Sequence, residues 1–118
     1  MPLPDNQFKN NSAADFYDEH SRRFMMPVYR RLAVRAAGLK ASGKRVLDIG
    51  TGNGLLLIEL SKARPDWQIT GIDISKEMLN LARQNIDKAG LSGKIGLQQA
   101  PAESLPFPEN SFNIVVSN

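Results

Sequence analysis

The sequence contains no cysteine and only one histidine among its 118 residues. The lack of cysteine excludes disulfide bonds, thiolate nucleophiles and cysteine-based zinc sites. A Ser-His-Asp triad would have to use His20, and no G-x-S-x-G segment is present to expose a serine to it. We therefore expect neither hydrolase chemistry nor a metal site, and the sequence identifies no catalytic residue.

Long apolar runs are also missing. None approaches the roughly 20 residues that a bilayer span requires, and the first twelve residues lack the basic and apolar regions of a signal peptide. A cytoplasmic protein without a membrane span is the expectation. The length and a composition of 42% hydrophobic and 23% charged residues are typical of one globular domain.

The net charge of +3 is unevenly distributed. Residues 1–45 contain nine Lys and Arg against four Asp and Glu, whereas residues 46–118 contain six against eight. A surface that stacks on bases requires aromatic residues among its arginines, and few are present here. We interpret the basic residues as the solvated face of a helix pair, and we do not expect a nucleic-acid partner.

Apolar spacing in residues 13–39 predicts two helices with Pro27 between them. We expect their apolar stripes to face the core, with His20 at the edge of one stripe rather than acting as a base. The stripes are Phe16, His20 and Phe24 in the first helix, and Val28, Leu32, Ala36 and Leu39 in the second.

Beyond residue 44, short apolar runs alternate with helical patterns. This alternation predicts right-handed βαβ units in an α/β domain with a parallel sheet. We predict a helical prefix over 1–44 and a core over 45–118. The predicted strands are 45–50, 67–73, 94–99 and 112–117, and the predicted helices are 55–63 and a longer one that Ser75 caps and Gly90 ends.

Glycines cluster in VLDIGTGNG, residues 46–54, at the turn between the first strand and its helix. They let the backbone turn sharply and approach a ligand closely. The dinucleotide pattern G-x-G-x-x-G fails, because Leu55 or Leu57 occupies its sixth position. Residues 38–45 nearly match the Walker pattern, but Arg45 replaces the hydroxyl that would bind magnesium, and the segment precedes a strand rather than following one.

The remaining pattern is an acidic residue two positions before G-x-G-x-G, which resembles motif I of the class I S-adenosylmethionine-dependent methyltransferases. An acidic group beside a glycine loop suits a ligand with an ammonium and a sulfonium charge and no phosphate. The residues of this motif are Asp48, Gly50, Thr51, Gly52 and Gly54.

Further motifs extend the resemblance over residues 13 to 118. Asp73 ends the second predicted strand, where a carboxylate can accept hydrogen bonds from both ribose hydroxyls. The resemblance implies that Ile74 packs against the adenine, that Ala102 and Glu103 lie beside it, and that Tyr17 closes over the methionine end. It also implies a Rossmann-like sheet of strand order 3-2-1-4, truncated relative to the seven strands of the family.

The segment LPFPENSF, residues 105–112, looks like the family branch that methylates small molecules, including quinone precursors. The resemblance implies S-adenosylmethionine as cofactor, S-adenosylhomocysteine as product and a small-molecule acceptor, with activity impaired because only the N-terminal portion of the domain is present. Two alternatives stay open. One is a non-catalytic module that binds cofactor or protein, and the other is an amino-methyltransferase that acts on nucleic acid or protein.

The fourth predicted strand, residues 112–117, is apolar and almost uncharged, and the strand order places it at an open edge. Exposed edges of this kind favour pairing with another chain. We therefore predict self-association through Phe112–Ser117.

Overall fold

The computed structural model describes residues 15–16, 18–40 and 43–117. Tyr17, which the resemblance implied near the methionine end, lies outside the described residues. Within those residues, no helix is both long enough and apolar enough to span a membrane.

In the part of the chain that the structure describes, four parallel strands form one sheet in the order β3-β2-β1-β4, which confirms the predicted class and strand order. Leu47 in the first strand is opposite Thr70 on one side and Val115 on the other. The strands are β1 Arg45–Ile49, β2 Gln68–Asp73, β3 Ile95–Gln99 and β4 Ile114–Ser117.

The fourth strand begins two residues later than predicted. Asn113 holds its start, because its backbone N–H donates to the Arg45 carbonyl at 2.8 Å and its side-chain oxygen accepts from the Arg45 N–H at 2.9 Å. Phe112 belongs to the preceding loop, where its ring meets the Phe107 ring edge-on at 5.0 Å.

The α-helices whose bounds the described residues define are α1 Met26–Ala37, α2 Leu55–Ala63 and α3 Lys76–Lys88. The predicted cap of α3 is confirmed, since the Ser75 hydroxyl accepts from the Met78 N–H at 3.2 Å. After α3, Gly90 adopts a φ of +75°, as the glycine that follows a helix commonly does.

The N-terminal helices differ from the prediction. A π-helical turn, Ser21–Met25, leads directly into α1, and Pro27 lies in the first turn of α1. The predicted aromatic stripe is not in the core, because Phe16 is 72% and Phe24 57% exposed. His20 is exposed as well, with its ring between those two phenylalanine rings.

The aromatic side chains of the segment before α1 are exposed because its polar side packs against the domain. Ser21 is only 2% exposed, and Asp18 makes hydrogen bonds to residues of the domain. In α1 the buried residues are Tyr29 and Ala33. The predicted stripe in α1 is consequently shifted by one position, and its members Val28 and Leu32 are 40% and 43% exposed.

Alternation along β1 divides the core into two faces. Val46 joins the larger cluster, in which α1, α2 and α3 cover one face of the sheet. Leu47 points to the other face and packs with Ile72, Phe107 and Phe112. The helices therefore cover one face in the described part of the chain, and a loop covers part of the other.

Candidate functional site

The predicted glycine turn lies at the carboxyl ends of β1 and β2. Three of its glycines have left-handed φ values, with Gly50 at +74°, Gly52 at +57° and Gly54 at +80°. Only glycine adopts such angles without strain. The N–H groups of Gly50 and Thr51 both donate to the Ile72 carbonyl at 2.9 Å, which fixes the turn to the neighbouring strand. We call residues 50–54 the glycine loop.

Asp73 joins the glycine loop to the turn before α3. Its Oδ2 accepts from the Gly52 N–H at 2.8 Å, and its Oδ1 accepts from the Ser75 N–H at 2.9 Å. An ionised carboxylate has about four acceptor positions, so each oxygen keeps one for a ligand. The predicted ribose partner is therefore also a structural link, a role that the sequence did not reveal.

Asp48 lies beneath the glycine loop and is completely buried. Burial raises the pKa of Asp48 to about 6. The nearby negative charge of Asp73 also raises this pKa, whereas a hydrogen bond from the Thr51 hydroxyl to Oδ2, at 2.8 Å, lowers it. Its Oδ1 has no hydrogen-bond partner among the described residues. Asp48 therefore has one buried oxygen that can still accept a hydrogen bond.

An open cleft of about 320 Å³ follows the carboxyl ends of the strands. In parallel α/β sheets this is the edge at which ligands bind. The cleft brings together five of the residues predicted for the cofactor: Gly50, Asp73, Ile74, Ala102 and Glu103.

The predicted cofactor residues differ in how far they are exposed in the cleft. Ile74 is 69% exposed, which leaves its apolar side chain free to contact a flat ligand. The turn that carries it is fixed, because the Gln99 side-chain amide donates to the Ile74 carbonyl at 3.0 Å. Asp48, Thr51, Gly52 and Gly54 are buried and do not line the cleft.

Sequence reasoning overlooked two buried asparagines near this site. Asn53, in the glycine loop, is 2% exposed, and Asn85, in α3, is 4% exposed. Asn85 lies on the buried face of α3 beside Ala82 and Ile86. A polar residue in an apolar helical stripe is itself a signal, because buried polar groups require partners.

Comparison with known proteins gives a consistent result. Residues 40–118 match a protein family described as a methyltransferase domain. Over 106 residues the chain is 39% identical to the ubiquinone/menaquinone biosynthesis C-methyltransferase of Citrifermentans bemidjiense, a match that covers 86% of this chain and 45% of the relative. The chain spans about half or less of the length of most curated relatives that it matches.

Solved structures agree on the fold. A protein from Methanococcus maripaludis, assigned to the S-adenosyl-L-methionine-dependent methyltransferases, superposes with a TM-score of 0.83 at 30% identity, over 99% of this chain and 53% of that one. The cyclase SpnF superposes with a TM-score of 0.65 at 31% identity, over 73% of this chain and 32% of that one.

This chain belongs to the class I S-adenosylmethionine-dependent methyltransferases. The cofactor of this family is S-adenosylmethionine, and the residues of the cleft fit it. Asp73 offers acceptors to a ribose, and Ile74 and Ala102 offer apolar surface to an adenine. Asp48 does not line the cleft, but its Oδ1 is a buried acceptor that no described residue satisfies.

Proposed function

We propose that this chain binds S-adenosylmethionine in the cleft and contributes to transfer of its methyl group to a small-molecule acceptor. The observation that carries the proposal is the bond between Gly52 and Asp73. Through it, the glycine loop, whose Gly50 lines the cleft, is joined to Asp73, which lines the cleft from the end of β2. Family membership and the cleft residues support the same conclusion.

Each cleft residue has a proposed role. The Asp73 carboxylate accepts hydrogen bonds from the ribose hydroxyls, using the acceptor positions that Gly52 and Ser75 leave free. Ile74 packs on one side of the adenine, with Ala102 and Glu103 beside it. Tyr17 stays a prediction for the methionine end.

The acceptor is proposed from the relatives. Their names describe carbon methylation in quinone biosynthesis, which favours an electron-rich quinone precursor as acceptor and disfavours amino-methylation of nucleic acid or protein. When bound, the cofactor supplies a methyl group that its sulfonium makes electrophilic. The chain's own contribution is to hold the ribose and adenine in place, because positioning accounts for much of the acceleration in such transfers.

A second candidate is a protein that holds the cofactor without transferring its methyl group. The similarity to SpnF, which is named as a cyclase, supports this second candidate, because one fold can host several chemistries. Formation of S-adenosylhomocysteine in the presence of a quinone precursor distinguishes the two candidates.

Calorimetry with S-adenosylmethionine and S-adenosylhomocysteine tests the proposal. The parent should bind both saturably, and Gly52→Val should bind neither, since a branched side chain at a φ of +57° displaces the loop. Gly43→Val is the matched control, because Gly43 has a φ of +62° and no atom within 4 Å of an added Cβ. Equal affinity of Gly52→Val and the parent would contradict the proposed site.

We also propose that the chain self-associates through β4. Among the described residues β4 pairs with β1 alone, so its other edge has no strand partner there. Beside it lies an apolar hollow of about 310 Å³ between α1, α2 and the sheet, lined by residues that include Leu32, Trp67 and Val116. A strand from a second copy would satisfy the edge and cover the hollow.

A further inference from the structure

Two asparagines of the domain and two charged residues of the N-terminal segment form one polar network. The Asp18 Oδ1 accepts from the side-chain amides of Asn53 and Asn85, both at 2.9 Å. Arg22 closes the ring, because its Nε donates to the Asp18 Oδ2 at 2.8 Å and its Nη2 donates to the Asn85 Oδ1 at 2.7 Å. We call these four residues the Asp18 network.

The network reaches the backbone of the glycine loop. The Asn85 amide, which already donates to Asp18, also donates to the Asn53 carbonyl at 3.0 Å. Asn85 thereby uses both of its N–H groups and its oxygen. The neighbouring Gly52 is held from the other side by Asp73. The glycine loop is therefore fixed between β2 and the N-terminal segment.

Asp18 is ionised at neutral pH. Burial raises the pKa of its carboxyl, but the hydrogen bonds from Arg22 and Asn85 and the Arg22 charge outweigh that effect and lower the pKa below its ordinary value. Asn53 and Asn85 are the buried ends of the network, and these bonds satisfy their side-chain amides, which would be costly to bury without partners.

We propose that Asp18 and Asn85 are positioning residues for the cofactor loop, and that docking of the N-terminal segment is thermodynamically coupled to cofactor binding. This inference depends on the proposed function. The network holds Asn53 in the conformation that places Gly52 against Asp73, so loss of the network lets the loop sample conformations that do not bind. Because coupling is reciprocal, bound cofactor stabilises the docked segment.

The first test is calorimetry with S-adenosylhomocysteine on a set of variants, each measured well below its own unfolding temperature. Asp18→Ala and Asn85→Ala should each bind about tenfold more weakly than the parent. The double variant should bind no more weakly than either single variant, because the residues act as one unit. Glu19→Ala, which removes the same charge one position away from an exposed site, should bind like the parent.

A conservative variant separates positioning from folding. Asp18→Asn keeps the oxygen that accepts from both asparagine amides, but its nitrogen replaces the oxygen that accepts from the Arg22 Nε, so the bond and ion pair with Arg22 are lost. It should therefore bind more tightly than Asp18→Ala and more weakly than the parent. If Asp18→Ala and Asn85→Ala are less stable but bind like the parent, the network is structural only and the inference is wrong. If the parent itself does not bind, the proposed function is wrong instead.

Hydrogen exchange on the parent gives an answer even if the alanine variants do not fold. S-adenosylhomocysteine should slow exchange of the amides in residues 18–25, although these residues do not line the cleft. Unchanged exchange in 18–25, with slower exchange in 50–54, would overturn the proposed coupling.

Discussion

At the scale of single residues, burial determines the charge of Asp48. Its pKa of about 6 in the folded chain is above the ordinary value of 3.8. Between these two values the folded state keeps a proton that the unfolded state releases. The contribution of Asp48 to stability is therefore fully present below the unfolded pKa and is lost as the pH rises through the folded pKa. The loss is about 3 kcal/mol at 1.36 kcal/mol per pKa unit.

Asp48→Asn tests this account, because an amide does not titrate. We expect the free energy of unfolding of the parent, measured by urea titration, to decrease from about pH 4 to about pH 7 by roughly 2.5 kcal/mol more than that of Asp48→Asn. The same pH dependence in both proteins would show that Asp48 titrates normally.

The site shows which residue roles a sequence can reveal. The position of Asp73 beside the glycine turn could be predicted, because a sharp turn favours glycine and because a carboxylate ends the adjacent strand. The roles of these residues toward a ligand stay predictions. The link from Asp73 to Gly52 was not found, and neither was the Asp18 network. Each joins residues far apart in the chain, and periodicity carries no information on such pairs.

At the scale of elements, close packing of α2 on β2 restricts residue 71 to glycine. A Cβ at Gly71 would lie 2.6 Å from the Leu57 Cδ1 and 2.6 Å from the Thr51 Oγ1, well inside contact distance. At Gly96, on the neighbouring strand β3, the nearest atom would be the Thr70 Oγ1 at 3.4 Å. The two glycines therefore differ in their tolerance of alanine.

We expect Gly71→Ala to lower the free energy of unfolding by about 2 kcal/mol, the cost of forcing extra volume into a packed site. Gly96→Ala should be neutral or stabilising by about 0.5 kcal/mol, since it restricts the unfolded chain. Denaturant midpoints measure both. Similar midpoints for the two variants would mean that α2 moves away from β2 at little cost.

Periodicity predicted the helices and strands of residues 45–118 better than the helices that precede them. Short branched runs located β1 and β2, and the cap at Ser75 located α3, because local chemistry determines those features. The strand order came from the family resemblance. The orientation of the N-terminal segment was wrong, because the polar contacts of Asp18 outweigh the burial of Phe16 and Phe24.

At the scale of the whole molecule, the sheet has two edges of different chemistry. The β3 edge carries Gln98 and Gln99, whereas the β4 edge is apolar up to Ser117. Polar edges resist pairing and apolar edges favour it. Association is therefore expected at β4.

Light scattering should show that the mass of the parent increases with concentration. Val115→Lys, at a position 55% exposed on β4, should give a monomer, because a charge on an edge strand opposes pairing. Val34→Lys is the control, since Val34 is 72% exposed on α1 and does not line the hollow beside β4. A monomeric parent at high concentration, with freely exchanging amides in 112–117, would contradict association.

The central claim is that the cleft at the carboxyl ends of the strands binds S-adenosylmethionine through Asp73. Calorimetry with S-adenosylhomocysteine on Asp73→Ala tests it most directly, with Asp66→Ala as control because Asp66 pairs with Arg64 and does not line the cleft. Asp73→Ala should bind at least tenfold more weakly, since each charge-assisted bond contributes about 1.5–3 kcal/mol, and Asp66→Ala should bind like the parent. Parent-like affinity in a folded Asp73→Ala would contradict the claim.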